Sequence, residues 1–464
     1  MADFTGGPGD DVLTGTEADD FFDGAAGNDT LDGAAGNDTL IGGDGQDRFI
    51  GGSGNDNING GGNTPTGGDV VDYSSASGGA VLVDLIRGIA EDGLGGFDAL
   101  TGIENVIGTG FNDTLIGDGA ANGLRGNAGN DILDGGGGED VASYFSDPAA
   151  ANVDLESGIG RDGNGGTDTL RSIENVNGSA FDDILRGNSG RNVFQGLAGN
   201  DIIDGRGGTD LINYFSLTVT SAVNVNLLLG TASDGLGGTD ALFSIEDING
   251  SAFADTLTGN SGRNVITGFT GNDIIAGGLG IDASAYTAAR SFYTVTSGSG
   301  EITITDSVMT RDGMDTLTGI ERLNFTDGTL AFDNLRTDNA GKGYLLYRAA
   351  FDREPDAEGL GYWIRRLDAN ADFVSELAAS FIASPEFIFK YGGNTSNAAF
   401  LTLVYQNVLD RTPDQAGMNY WLTEAGGNGL DGGYARSNLL ASFAISNENV
   451  NAVNPLITDG IWFV

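Results

Sequence analysis

The chain has 464 residues, room for several domains, and a net charge of −45 from 66 acidic and 21 basic side chains. Such a charge disfavours nucleic acid and anionic membrane surfaces as partners and favours cations. There is no cysteine and no histidine, which excludes disulfides, thiolate or imidazole metal sites, a cysteine nucleophile and any Ser-His-Asp triad.

Glycine numbers 80 and proline 7. Their joint share stays below the roughly 25–30% that favours low-complexity disorder, and the glycines keep a period. The amino terminus, Met1 to Thr5, lacks the positive and apolar regions of a secretory signal, and no segment is apolar enough to span a bilayer.

From Gly6 to Asn59 the chain divides without gaps into nine-residue units opening at Gly6, Gly15, Gly24, Gly33, Gly42 and Gly51. The sixth residue is always aspartate (Asp11, Asp20, Asp29, Asp38, Asp47, Asp56). The eighth is always large and apolar (Leu13, Phe22, Leu31, Leu40, Phe49, Ile58). This is the G-G-x-G-x-D-x-U-x pattern of a parallel β-helix repeat. Six residues of turn and three of strand make half a coil, so two units close one turn of a solenoid. Glycine at the first, second and fourth positions permits positive φ and lets carbonyls face into the turn. Strands stacked about 4.8 Å apart bring the aspartates into columns. Such columns repel unless a cation sits between them, and Ca2+, a hard ion taking six to eight oxygens, suits carboxylates plus carbonyls.

The period slips over Gly60 to Pro65 and resumes at Asp69-Val70-Val71-Asp72-Tyr73. A longer repeat then takes over. Ile103-Glu104-Asn105-Val106 returns as Ile173-Glu174-Asn175-Val176 and Ile245-Glu246-Asp247-Ile248, with a worn copy at Ile320-Glu321-Arg322-Leu323. The first three are each followed by four nonapeptides. Their sixth positions are Asp113, Asn122, Asp131, Asp140; Asp183, Asn192, Asp201, Asp210; and Asp255, Asn264, Asp273, Asp282. With Asp69, this makes sixteen candidate aspartate ligands, which share ions on the order of ten given calcium's coordination number. The asparagines read either as weaker sites or as plain turns.

Between blocks, Val81-Leu82-Val83-Asp84-Leu85 with Asp92-Gly93-Leu94-Gly95-Gly96 and its cousins read as short hairpin strands attached to the roll. Residues 293–305 read as strands capping the solenoid end. Beyond about Asp338 a 3.6-residue period appears (Phe373, Leu377, Phe381; Phe400, Val404, Val408). Asp352-Arg353-Glu354-Pro355-Asp356…Gly359…Tyr362-Trp363 recurs as Asp410-Arg411-Thr412-Pro413-Asp414…Gly417…Tyr420-Trp421. Proline at the first helical position and a dipole-complementing aspartate account for the Pro-Asp pair. Trp363 and Trp421 read as core packing, the other reading being an exposed sugar platform.

The nonapeptides resemble those of the RTX (hemolysin-type calcium-binding repeat) proteins of Gram-negative bacteria. The resemblance implies right-handed parallel β-rolls holding Ca2+ between turns through the sixth-position aspartates and glycine-rich carbonyls, here Gly7, Gly9, Gly27, Gly36, Gly43, Gly45, Gly52, Gly54, Gly129, Gly138, Gly199, Gly208, Gly271 and Gly280. It also implies export by a type I secretion system reading an uncleaved carboxy-terminal signal, which Asp459-Gly460-Ile461-Trp462-Phe463-Val464 fits. Residues from about 339 to 450 resemble a helical domain of unknown function that accompanies such repeats. Its Arg-x-Pro-Asp…Tyr-Trp signature is also similar to phycobilisome linker domains, without a chromophore-attaching cysteine.

The expected fold is mainly β, as β-roll blocks with interspersed hairpins followed by a small all-α domain. The expected segments are a first roll (1–73), three hairpin-plus-repeat blocks (74–144, 145–214, 215–286), a capping β segment (287–337), a helical domain (338–450) and a secretion signal (451–464). The effector domain that RTX toxins and enzymes carry ahead of their repeats is not expected here, nor is catalysis; Asp182-Asp183 sits where the nonapeptide already explains it. The expected function is a secreted calcium-binding protein that folds on extracellular Ca2+ and serves a structural, surface-layer, matrix or adhesive role. The alternative is a polysaccharide-binding protein or an accessory of a polysaccharide-modifying system. Expected partners are calcium, cell-surface polysaccharide or other copies of the chain, and the secretion machinery during export.

Overall fold

The computed structural model describes residues 2–63, 67–216, 218–298 and 300–464. The slip in period expected over Gly60 to Pro65 therefore ends, at Thr64 and Pro65, outside the described residues. The chain divides into two compact units, Met1–Asn260 and Ser261–Val464.

In the first unit, short strands alternate between two sheets, those of the nonapeptides pairing in parallel with the strand two nonapeptides away. In one sheet Leu13 stands beside Leu31, Leu31 beside Phe49 and Phe49 beside Val71; in the other Phe22 stands beside Leu40 and Leu40 beside Ile58. The in-register stack follows from the period, since a coil of two units returns each eighth residue to the same side. Phe22, Leu31, Leu40, Phe49 and Ile58 are fully buried, and Leu115, Leu124, Leu133, Leu185, Phe194 and Ile203 continue the core in the later blocks. Leu13, at the exposed end, is only half-buried.

The interblock segments are woven into one of these sheets. Phe97–Thr101 pairs parallel with Asn57–Asn63 and antiparallel with Ile89–Glu91. Ile89–Glu91 pairs antiparallel with Leu82–Asp84, which returns parallel to Thr114–Ile116. A three-strand meander is thus inserted in this sheet between Asn57–Asn63 and Thr114–Ile116 without interrupting the hydrogen-bond ladder. It recurs at Asn152–Asp154, Ile159–Arg161, Asp168–Arg171 and at Asn224–Asn226, Thr231–Ser233, Thr239–Phe243.

The second unit begins with the same roll. Ile274–Ala276 pairs parallel with Met314–Thr318, and Ala283–Ala285 with Arg322–Phe325. The strands expected over 293–305 form an antiparallel hairpin, Tyr293–Gly298 with Glu301–Asp306, whose second strand also pairs antiparallel with Met314–Thr318, making a fourth meander. Helices follow from Asn339 to Ile457, around a core that includes Leu345, Leu346, Ile364, Leu377, Phe381, Phe400, Leu401, Leu439 and Leu440. The duplication visible in the sequence is also structural. Asp352 and Asp410 end their helices at φ 51° and φ 50°, Arg353 and Arg411 pair with Glu386 and Glu448 at 2.8 and 2.7 Å, and Asp356 and Asp414 each accept the N–H of the residue three ahead. Those aspartates are themselves the N-caps, so Pro355 and Pro413 lie one residue before the cap rather than at the first helical position. Trp363 and Trp421 are partly buried against the core, packed edge-on to Phe381 and tilted against Phe443 respectively. The last helix runs to Ile457, past the expected boundary at 450, and Ile461–Phe463 pairs antiparallel with Gly328–Ala331.

Candidate metal centre

The sixth-position aspartates form two carboxylate ladders. The backbone N–H groups of Asp11, Asp20, Asp29 and Asp38 donate to Oδ1 of Asp29, Asp38, Asp47 and Asp56 at 2.7–2.8 Å. Both ladders survive the meanders through residues outside the regular nonapeptides. Asp56 N–H donates to Oδ1 of Asp98 (3.0 Å), and Asp69 N–H to Oε2 of Glu104 (2.9 Å). The same pair of substitutions recurs as Asp131 to Asp168 and Asp140 to Glu174, and as Asp201 to Asp240 and Asp210 to Glu246. In the second unit, Asp273 donates to Asp315 and Asp282 to Glu321. The glutamate of the Ile-Glu-Asn/Asp motif is therefore a ladder rung. So are Asp98, Asp168 and Asp240, whose signal in the sequence is the recurring Asp-Gly-x-Gly-Gly-x-Asp string.

With Oδ1 used by the ladder, the state of Oδ2 separates two kinds of turn. In closed turns the second-position N–H donates to it. Thr16 N–H and Oγ1 both bond Asp20 Oδ2 (2.9 and 2.7 Å). The N–H groups of Thr109, Ser179 and Ser251 bond Oδ2 of Asp113, Asp183 and Asp255, while their hydroxyls reach Oδ1. Gly7 N–H does the same for Asp11 at the exposed end. In open turns the second residue has flipped to positive φ: Ala25 (78°), Ala34 (68°), Gly43 (114°), Gly52 (90°), Gly61 (105°), Asn127 (65°), Gly136 (89°), Leu197 (73°) and Arg206 (66°), with Phe269 (62°) and Gly278 (109°) in the second unit. Its N–H then turns away; that of Ala34 goes to Asp32 and that of Arg206 to Asp204, both at 3.0 Å.

The flip strands the carboxylate. Oδ2 of Asp29, Asp38, Asp47, Asp56, Asp69, Asp131, Asp140, Asp201, Asp210 and Asp282 is buried with no hydrogen-bond partner. A buried, unpaired anionic oxygen costs several kcal/mol in the absence of a counter-charge. Left-handed backbone at Leu197 or Arg206 adds a cost of about 1–2 kcal/mol each. Two independent penalties thus coincide in the same turns, the pattern expected where an absent ligand repays both.

The neighbouring glycines complete the cradle. A Cβ on Gly33 or Gly51 would lie 2.5–2.6 Å from Oδ2 of Asp38 or Asp56, and one on Gly43, Gly45, Gly52 or Gly54 would strike the carbonyl oxygen of the residue stacked beneath it. Carbonyl and carboxylate oxygens therefore share a space that only glycine leaves open. Among the described residues no three acidic side chains converge to hold a metal by themselves, so carbonyls must supply much of any coordination shell. All-oxygen donors without nitrogen or sulfur suit a hard cation such as Ca2+. The residues present fit that ion.

Electrostatics agrees. Burial pushes the carboxyls of Asp38, Asp56, Asp69 and Asp140 up to about 6, those of Asp131 and Asp210 to about 7, and that of Asp201 to about 8, with neighbouring carboxylates adding to the effect. In the closed turn of Asp20, bonds from Ala2 N–H and the Thr16 hydroxyl instead hold the carboxyl below its usual range. Asp113 and Asp183 lie above theirs, raised by burial against the pull of their hydrogen bonds.

Of the sixteen aspartates predicted from sequence, Asp11, Asp20, Asp113, Asp183 and Asp255 therefore sit in closed turns. Asn122 and Asn192 take the plain-turn alternative. Their side-chain oxygens accept from Asp118 and Asn188, and their amide nitrogens donate to the carbonyls of Glu104 and Glu174. The glycine carbonyls predicted as ligands divide in the same way, with Gly27, Gly36, Gly43, Gly45, Gly52, Gly54, Gly129, Gly138, Gly199, Gly208, Gly271 and Gly280 all at positive φ, and Gly7 and Gly9 in the closed first turn.

The family description "RTX calcium-binding nonapeptide repeat (4 copies)" matches residues 5–40, 32–64, 106–142, 177–212 and 249–283. A domain of unknown function, DUF4214, matches residues 378–453. No curated protein matches the chain. Among solved structures, the crystal structure of the extracellular lipase LipA from Serratia marcescens is similar at 16% identity over 47% of this chain, with a TM-score of 0.12. The match spans 37% of the lipase chain.

Proposed function

Taking the chain as an RTX-repeat protein, we propose that it is a secreted, non-catalytic calcium-binding protein whose repeats fold on meeting extracellular Ca2+ and then serve a structural, surface-layer, matrix or adhesive role. The observation that carries this reading is the coincidence of positive φ at the second position with a buried, unpartnered Oδ2 at the sixth. Where free calcium is low, the stranded carboxylates repel and the thin core cannot offset them, so the chain stays unfolded and fit for export. Millimolar calcium exceeds the roughly 10⁻⁴–10⁻³ M affinity of extracellular modules, and binding becomes folding because the cradles exist only in the folded state. When bound, Ca2+ supplies the positive charge that the open turns lack. Export through a type I system that reads residues 451–464 belongs to the same reading.

Titrating calcium into the EDTA-treated protein, with far-UV circular dichroism and hydrodynamic radius as readouts, tests it. Compaction with a gain in β signal is the expected result; a chain equally compact in EDTA overturns the proposal.

A second reading, polysaccharide binding, is favoured by a groove of about 420 Å³ on the first unit lined by Val70, Arg125, Val141, Phe145, Asn177 and Gln195, where Phe145 is half exposed. An exposed ring beside amide and guanidinium donors is suited to a sugar face and its hydroxyls. Glycan-array binding lost in Phe145→Ala supports this reading, and a blank array removes it.

A further inference from the structure

The three meanders carry aspartates that the nonapeptide register does not explain. Asp92, Asp162 and Asp234 each open an Asp-Gly-x-Gly-Gly loop and are 0%, 6% and 0% exposed. One oxygen of each is fully used. Asp92 Oδ1 accepts from the N–H groups of Leu94, Gly95 and Gly96, Asp234 Oδ1 from Leu236, Gly237 and Gly238, and Asp162 Oδ1 from Asn164 and Gly166. The other oxygen is buried without a partner in all three.

That oxygen points to a defined place. A Cβ on Gly96 would strike the Gly54 carbonyl and lie 2.7 Å from Asp92 Oδ2; Gly166 stands in the same relation to Gly129 and Asp162, and Gly238 to Gly199 and Asp234, at 2.6 Å each. A carboxylate oxygen and a carbonyl oxygen are thus neighbours with no donor between them. Asp92 and Gly96 line a cavity of about 280 Å³. The ladder aspartate of the same loop cannot fill this role, because Oδ2 of Asp98, Asp168 and Asp240 is taken by the hydroxyl of Tyr73, Tyr144 and Tyr214 at 2.9, 3.2 and 2.7 Å.

We propose that Asp92, Asp162 and Asp234 are ligands of a second class of Ca2+ site, one per meander, in which the loop aspartate and the carbonyl of Gly54, Gly129 or Gly199, the fourth residue of the nonapeptide stacked against the loop, replace the sixth-position aspartate of an ordinary turn. The fourth meander supplies a contrast. Its loop aspartate, Asp312, is held by the N–H and hydroxyl of Thr287 and by the Tyr293 hydroxyl, and needs no ion. The inference rests on the calcium reading above and extends it to residues outside the repeats.

The test compares Ca2+ stoichiometry, by equilibrium dialysis of the full chain, between the parent and Asp92→Asn/Asp162→Asn/Asp234→Asn. Asparagine keeps the Oδ1 acceptor and turns its NH₂ toward the carbonyl, so the loop stays bonded while losing its charge. Three fewer ions, one per residue, is the expected result, with Asp312→Asn unchanged. An unchanged count overturns this proposal and leaves the nonapeptide reading standing, whereas a parent chain that binds no calcium fails the nonapeptide reading itself. Should the triple variant not fold, a terbium-loaded crystal of the parent decides: anomalous peaks beside Asp92, Asp162 and Asp234 support the sites, and peaks confined to the nonapeptides overturn them.

Discussion

The repeats and the helices answer the problem of buried charge in opposite ways. In the helical region, Arg353–Glu386 and Arg411–Glu448 pair in the open, and Asp356 and Asp414 bond their own helix N-termini. In the open turns of the first unit, carboxylates are buried rank upon rank with one oxygen each left bare. The first arrangement is complete as a protein; the second is complete only with something added. Stability should therefore be conditional in one region and intrinsic in the other.

Removing calcium should produce the largest separation. In EDTA the repeats should lose their β signal while the helices keep theirs, and limited proteolysis should leave a resistant fragment beginning near residue 338. Cleavage spread evenly along the chain would break the comparison.

Next in size is an inverted pH response. Asp38, Asp56, Asp131, Asp201 and Asp210 have folded-state pKa values of about 6, 6, 7, 8 and 7, above the usual 3.9 or so of the unfolded chain. Between those values the folded form holds protons that the unfolded form has lost, so calcium-free stability is greatest below pH 4 and falls as pH rises through 6 to 8. Circular dichroism in EDTA should show β structure returning on acidification. With calcium present the direction reverses, because the ion requires the deprotonated form.

Phe49→Ala, in the centre of the stacked core, should cost about 3–5 kcal/mol in calcium, read from denaturant melts. A smaller effect is expected where backbone strain is relieved. Leu197→Gly should raise repeat stability by about 1–2 kcal/mol, since glycine accepts φ 73° freely, and should sharpen the calcium midpoint. The smallest is Asp356→Ala, about 1 kcal/mol for a lost helix cap, equal with and without calcium.

Much of this was legible in the sequence. The nonapeptide fixes coil length, strand position and the inward eighth residue, because a two-unit coil admits only one in-register stack. The sixth-position aspartates were legible as a class, but not their division into open and closed turns. The clue is small: Thr16, Thr109, Ser179 and Ser251 bring a hydroxyl to the second position and close the turn, whereas Leu197, Arg206 and Phe269 adopt a conformation their own side chains disfavour. Propensity cannot foresee a backbone set by what it must leave room for. Glu104, Glu174 and Glu246 were visible as a recurrence without a role, because their rung lies 34 to 36 residues from its donor. Asp92 and its counterparts were hidden in strings that read as ordinary glycine turns.

The pairing of Ile461–Phe463 with Gly328–Ala331 has one more consequence. Ile461 and Phe463 are 2% and 4% exposed, and Arg365 holds the carbonyl of Val464. An export address written in these residues is legible only on an unfolded chain. On the export reading proposed above, folding would cover that address, so the folded chain would no longer present it to the exporting machinery, and transport would acquire a direction from the fold itself.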